Sequence, residues 1–294
     1  MNDQAARLRE RMMKTEETGK SAKTIAIVSG KGGVGKSNIS VNFGLKLAKQ
    51  GHKVLLVDMD IGMGNIHLLL GTSSERSIVD YMLSDDIDIE DVKVRAADNF
   101  TCISGGNGLS SFFEMDQNAL SKLLKAMELL QKEYNYILFD MGAGATNMSL
   151  QFLLSVDDII VVTTPEPTSV TDAYSMIKFM TQKDSGLHFS IICNRVETES
   201  EGRETIKRLR LAAEKFLKVD VRPLGMLPED SLVKKSVLNQ RPFTVEFPLS
   251  KAAQSFNVIV QNYLSGEGAG QNTMQKAGFL SKLKHLLFER QGNL

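Results

Sequence analysis

Residues 29–38 read Ser-Gly-Lys-Gly-Gly-Val-Gly-Lys-Ser-Asn, between the apolar run TIAIVS (24–29) and a helical pattern at 36–50. A glycine-rich turn joining a strand to a helix gathers backbone N–H groups and the positive end of the helix at one point, which makes an anion site. Two templates fit it. Gly30-x-Gly32-x-x-Gly35 is the dinucleotide pattern, and Gly30-x-x-x-x-Gly35-Lys36-Ser37 is the nucleoside-triphosphate pattern. Both demand an open α/β sheet with the loop at the carboxyl end of a buried strand.

The rest of the chain has the rhythm such a sheet needs. Apolar runs of strand length recur at 53–58, 100–104, 136–140, 158–164, 187–193 and 221–227. They are mostly continuous rather than alternating, as expected of parallel strands covered on both faces. Helical patterns lie between them at 117–132, 147–154, 169–182, 203–217, 230–239 and 250–264. The expected fold is therefore α/β: one doubly wound, mostly parallel sheet flanked by helices, over residues 24–264. Residues 1–22 are polar and charged and read as an arm outside it. The stretch 265–275 is glycine-rich and reads as a linker. The acidic run SDDIDIEDV (84–92) reads as a solvated loop or helix face.

Chemistry chooses between the templates. A triphosphate calls for a cation on its outer oxygens and a hydroxyl for magnesium, and Lys36 and Ser37 follow the last glycine directly. It also calls for a carboxylate at the end of another buried strand, and YILFD ends in Asp140. A dinucleotide needs neither the lysine nor the serine. By the rule that ligands sit beyond the carboxyl ends of the strands, the other candidates are Asp58, Asp60, Asn194 and the turn Pro228-Glu229-Asp230.

Composition removes several alternatives. Basic and acidic residues both number 35, which gives no support to bulk nucleic-acid binding. The two cysteines, Cys102 and Cys193, are far apart, so neither a disulfide framework nor a cysteine-held metal is expected. No apolar run approaches the roughly 18 residues of a membrane span. The first residues lack the apolar core of a signal peptide, and the cytoplasm is the expected compartment.

Lysine directly after the first glycine, in Gly30-Lys31-Gly32-Gly33-Val34-Gly35-Lys36-Ser37, is the deviant Walker A motif. Together with D-x-D-x-G-x-x-N (58–65), D-x-G-A-G (140–144) and the late P-E-D, it resembles the MinD/ParA group of P-loop ATPases across about 24–264. The resemblance implies an ATPase that uses ATP and Mg2+. Gly30 to Asn38 would wrap the phosphates, with Lys36 on the β- and γ-phosphates. Ser37 and Asp140 would hold magnesium with Asp58 close by, and Asp60 would orient the attacking water. Asn194, Pro228, Glu229 and Asp230 would contact adenine. Lys31 would cross an ATP-dependent homodimer to the partner's phosphates. Two departures stand out: Asn38 replaces a usual threonine, and Gly142 stands where the division-site members have proline.

The tails narrow the resemblance. Phe279, Leu280, Leu283, Leu286 and Leu287 fall on one helical face within 276–294, with Lys282, Lys284 and His285 outside the stripe. A basic amphipathic helix after a linker suits an anionic membrane surface, and this one resembles the membrane-targeting helix of MinD. Asp3, Gln4, Ala5, Leu8 and Arg9 match the D-Q-A-x-x-L-R arm of the FlhG group of flagellar regulators. That likeness implies a contact with a signal-recognition-type GTPase, FlhF. It also allows flagellar switch or basal-body partners, and it implies no direct nucleic-acid contact. The implied function is an ATP-switched regulator of flagellar number or placement, at the inner face of the cell membrane. A MinD-type division-site regulator and a ParA-type DNA-segregation ATPase are the alternatives, and the arm argues against the first.

Overall fold

The computed structural model describes residues 21–60, 64–73, 75–106, 117–142, 147–267 and 278–288. Its centre is an eight-stranded sheet in the order β3-β4-β2-β5-β1-β6-β7-β8. The strands are β1 (Lys23–Val28), β2 (Val54–Met59), β3 (Lys93–Ala97), β4 (Phe100–Ile103), β5 (Tyr136–Met141), β6 (Asp158–Thr163), β7 (Phe189–Val196) and β8 (Val221–Pro228). All neighbours pair in parallel except β3, which runs antiparallel along β4. Strands β1, β2 and β5 are buried along nearly their whole length, which is why they read as unbroken apolar runs.

The helices are α1 (Lys36–Lys49), α2 (Ile66–Leu70), α3 (Ile78–Leu83), α4 (Gln117–Glu133), α5 (Asn147–Ser155), α6 (Pro167–Thr181), α7 (Glu199–Ala212), α8 (Ser231–Leu238), α9 (Phe243–Glu246), α10 (Lys251–Glu267) and α11 (Phe279–Phe288). Side chains alternate along each strand, so the two faces of the sheet carry separate cores. Ile25 and Ile27 face Phe43 of α1 and Phe256 and Tyr263 of α10. Ala26, Val28 and Phe139 face α4, α5, α6 and α11. Chain direction diverges around β1, flanked by β5 and β6, and this switch point is the crevice where ligands bind in such sheets.

Several expectations need correction. Strand β3 falls within no expected run, because it is a half-exposed edge strand with charged residues rather than a buried one. Lys93 pairs with Glu90 and Glu133, and Arg95 with Asp98. The tight turn Asp98-Asn99, with Asn99 at φ 59°, is the signal that would have revealed the hairpin. The acidic run is not wholly solvated: Asp88 caps a short 3-10 turn, Ile89–Val92, whose apolar ends are buried. Helix α7 begins at Glu199, capped by Thr198, earlier than the apolar pattern suggests. Helix α10 continues to Glu267, into the stretch read as linker. Ala22 belongs to the fold, since its N–H donates to the Gln131 carbonyl and its side chain is buried.

Candidate functional site

The loop after β1 is shaped by its glycines. Gly35 sits at φ 92° as the N-cap of α1, a conformation that side chains rarely adopt. Gly30 lies against the backbone of Asp172 in α6, with no room for a Cβ. The Asn194 side chain donates from Nδ2 to the Val34 carbonyl at 2.8 Å, tying the loop to the end of β7.

Beneath the loop is a buried charge cluster. Lys36, 7% exposed, donates from Nζ to Asp140 Oδ1 at 2.9 Å. Ser40 Oγ, one helical turn on, donates to the same oxygen at 2.7 Å. Asp140 Oδ2 is buried without a hydrogen-bond partner. Asp58 pairs in register with Asp140 across β2 and β5, and each is 1% exposed. Burial first, and the Asp140 charge second, push the Asp58 carboxyl up to about 7. Two adjacent buried carboxylates, one with an orphaned oxygen, suit a divalent cation with oxygen ligands. The paired carboxylates therefore fit magnesium at Asp140 and Asp58.

Asp60 donates its backbone N–H to Asp58 Oδ1 at 3.0 Å. A Cβ placed on Gly142 would stand 2.9 Å from Asp60 Oδ1. The glycine that departs from the division-site pattern thus leaves Asp60 its space, and the segments after β2 and β5 meet there.

Lys31 lies apart from this cluster on the surface. Its Nζ donates to Glu166 Oε2 at 2.9 Å and, more weakly, to Thr168 Oγ1 at 3.4 Å. That hydrogen bond holds the Glu166 carboxyl below its usual range. Glu166 and Ser40 are site residues that the sequence reading missed. Glu166 in the Pro-Glu-Pro turn after β6 was findable by the carboxyl-end rule, whereas Ser40 is a small residue inside a helix with no pattern of its own.

A cavity of about 340 Å³ opens beside the loop. Gly35, Asn38, Asn194, Pro228, Glu229 and Asp230 line it, together with Phe243 and residues of α8. Arg195 also lines it, in a left-handed conformation (φ 57°) uncommon outside glycine. The Asp230 carboxylate is already engaged: Oδ1 accepts from Leu232 N at 2.9 Å and Oδ2 from Ala252 N at 3.3 Å. Its place is in the frame of the cavity, holding the starts of α8 and α10 together.

The C-terminal stripe lies elsewhere. Phe279, Leu283 and Leu287 are buried in the core, and Leu280 and Leu286 pack against it. Phe279 stacks on Phe139 with ring centres 5.6 Å apart and lies 6.1 Å from Phe152. Gln151 Nε2 of α5 donates to the Leu286 carbonyl at 3.2 Å. The face read as lipid-binding is thus, in this structure, docked on its own domain, because a nearby apolar groove removes it from water as lipid would. Asp3, Gln4, Ala5, Leu8 and Arg9 lie outside the described residues. Among the described residues no helix is long and apolar enough to cross a membrane, and no cluster of three or more metal-ligating side chains occurs.

The ParA family model, described as NUBPL iron-transfer P-loop NTPase, matches residues 20–264. The chain is 31% identical over 237 residues to the antiactivator FleN of Pseudomonas aeruginosa, covering 81% of this chain and 84% of FleN. It is also 31% identical over 295 residues to the flagellum site-determining protein YlxH of Helicobacter pylori, covering 98% and 99%. Among solved structures it resembles the septum site-determining protein MinD complexed with Mg-ADP from Pyrococcus horikoshii. That match has a TM-score of 0.66 and 27% identity, covering 86% of this chain and 100% of that one. Iron transfer through clustered thiols has no support here: Cys102 and Cys193 are both buried, and burial pushes the Cys193 thiol up to about 12. With its loop, paired aspartates and sheet order, the chain belongs to the ParA family of P-loop NTPases and is of the FleN/FlhG-like and MinD-like kind.

Proposed function

We propose that the chain is an ATP-switched regulator of flagellar number or placement. ATP binding would drive homodimerisation and membrane attachment, and slow hydrolysis would reset it. The observation that carries this reading is the seat of α11. Its Phe279 packs on Phe139, the residue before Asp140, and on Phe152 of α5, which follows the segment after β5. A nucleotide bound at Asp140 and a membrane element docked on Phe139 share one strand.

In this reading Gly30 to Asn38 hold the phosphates, with Lys36 on the β- and γ-phosphates. Ser37, Asp58 and Asp140 hold magnesium, which neutralises phosphate charge. Asp60 orients the attacking water, and Asn194 with Pro228, Glu229 and Asp230 flanks the base. Lys31 leaves Glu166 to meet the partner subunit's phosphates, so each site is completed only in the dimer, in the manner of an arginine finger supplied in trans. Freed from its groove, α11 presents Phe279, Leu280, Leu283, Leu286 and Leu287 to an anionic membrane from the cytoplasmic side. Each basic residue at such a surface is worth about 1 kcal/mol, so a single short helix holds weakly and a dimer with two holds well. The arm, through Asp3, Gln4, Ala5, Leu8 and Arg9, stimulates a GTPase of the FlhF type.

Sedimentation with anionic liposomes tests the core of the reading. The full chain should pellet with ATP and magnesium but not with ADP, and deletion of 276–294 should leave it in the supernatant in both states. Equal pelleting with ATP and ADP, or after the deletion, rejects it.

A further inference from the structure

Asn38, the last residue expected to wrap the phosphates, lies in the first turn of α1. The structure gives it another task. Asn38 Oδ1 accepts a hydrogen bond from Asn42 Nδ2 at 2.9 Å, and the Asn38 carbonyl accepts from the same nitrogen at 2.8 Å. Asn42 Oδ1 in turn accepts the backbone N–H of Thr244 at 3.0 Å, from a residue 202 positions later in the chain. Asn42 is 0% exposed. Burying an amide is costly unless its groups are bonded, and here both of its polar atoms are engaged.

These contacts run beside the cavity described above: Asn38 and Ile39 of α1 line it, and so does Phe243, the residue before Thr244. Phe243 precedes Thr244 in α9 and packs edge-on against Phe256 of α10, with centroids 5.5 Å apart. Helix α9 covers only Phe243–Glu246, far too short to hold itself in place. Asn42 is the polar tie that fixes α9 against α1. The phosphate end is anchored separately, by Lys36 and Ser40 on Asp140.

We propose that Asn42, acting through Asn38 and Thr244, is a positioning residue for the base end of the bound nucleotide. It sets the width of the cavity and so the grip on the base, without touching the phosphates. This rests on the reading of the cavity as the base site of an ATP-binding protein.

The test uses the full chain and titration calorimetry with two probes, ATP and inorganic tripolyphosphate, each with magnesium. The wild-type chain should bind ATP more tightly than tripolyphosphate. Asn42→Leu, which keeps the volume and removes the polar tie, should lose about tenfold in ATP affinity. Tripolyphosphate affinity should stay within about twofold, because the phosphate end has its own anchors. Thr244→Pro removes the N–H that Asn42 accepts, together with the Thr244 hydroxyl, at a first-turn position where proline is tolerated, and should give the same selective loss even where Asn42→Leu fails to fold. An unchanged ratio of the two affinities in the variants overturns the inference. So does a parallel loss of both, which would make Asn42 a general support. Equal affinity of the wild type for both probes is a different failure: the cavity would then not be a base site, and the reading beneath the inference falls with it.

Discussion

The phosphate loop and the C-terminal helix solve one problem with different chemistry. In the proposed function each serves something outside the chain, and in this structure each is held by a contact within the chain. Lys36 pairs with Asp140 at 2.9 Å, Lys31 with Glu166 at 2.9 Å, and the apolar stripe of α11 lies on Phe139 and Phe152. The loop's substitutes are single charges, and a ligand of greater charge displaces them residue by residue. The helix's substitute is a continuous apolar groove, so its contacts must be given up together. On the proposed function the loop would therefore answer a small ligand in graded fashion, whereas the helix would act as a two-state element, bound or released.

The largest expected effect tests the charged half of this comparison. Lys36→Ala leaves Asp140 buried with Ser40 as its remaining side-chain partner among the described residues, and removing one member of a buried pair costs about 3–5 kcal/mol. Nucleotide affinity should fall by more than about 100-fold in calorimetric titration, because charge-assisted bonds to phosphate are lost. Retained affinity would remove Lys36 from the site. Next is Phe279→Ala. Truncating a buried phenylalanine costs about 3–5 kcal/mol, and here the loss should fall on docking rather than on the sheet. Amide exchange of 279–288 should accelerate by roughly 100-fold or more while that of β1 and β5 stays as it was. Acceleration spread over the whole domain would mean that α11 is an integral part of the core and no separate element.

The same contrast explains what the sequence made legible. The loop, the Asp58–Asp140 pair and the mostly parallel doubly wound sheet could be read because buried strands and glycine turns leave local signals: continuous apolar runs, and glycines where φ turns positive at Gly33 and Gly35. Strand β3 escaped because an edge strand needs no apolar run. Ser40 escaped because its role depends on a partner 100 residues away in sequence, whereas Glu166 lay within reach of the carboxyl-end rule. The amphipathic face of α11 was legible, but its occupant was not. Periodicity says that Phe279, Leu283 and Leu287 need cover and is silent on whether lipid or Phe139 supplies it. Asp230 shows the same limit at the site, since Pro-Glu-Asp located the cavity while the carboxylate itself went to helix starts.

A smaller effect should appear in the pH dependence of stability. The Asp58 carboxyl is raised from 3.8 to about 7 in the folded chain. A raised carboxyl makes the folded state bind more protons than the unfolded state between those values, so stability falls as pH rises through that window and levels off above about 7. The full shift corresponds to a ceiling of about 4 kcal/mol. Nucleotide-free protein should therefore melt at a lower temperature at pH 8 than at pH 5, beyond what other groups contribute, and Asp58→Asn should flatten that slope. A variant that loses stability equally at both pH values would show that Asp58 is not the strained carboxyl.

The smallest effect is the most pointed. The Lys31–Glu166 pair is exposed, with side chains 44% and 61% accessible, and exposed pairs of this kind contribute little to stability. Glu166→Gln should barely move the melting temperature. If Glu166 is what keeps Lys31 from a partner's phosphates, freeing the lysine should still tighten the ATP-dependent dimer by a few-fold in sedimentation velocity, since a weak competing interaction is removed. The gain should fade at high salt, where exposed charges are screened beyond about 3–8 Å. Lys31→Ala should bind ATP as a monomer and fail to dimerise, and adding Glu166→Gln to it should change nothing further. A dimer constant that ignores Glu166 at low salt would make this ion pair incidental, and Lys36 would then be the only lysine of the loop whose resting partner matters.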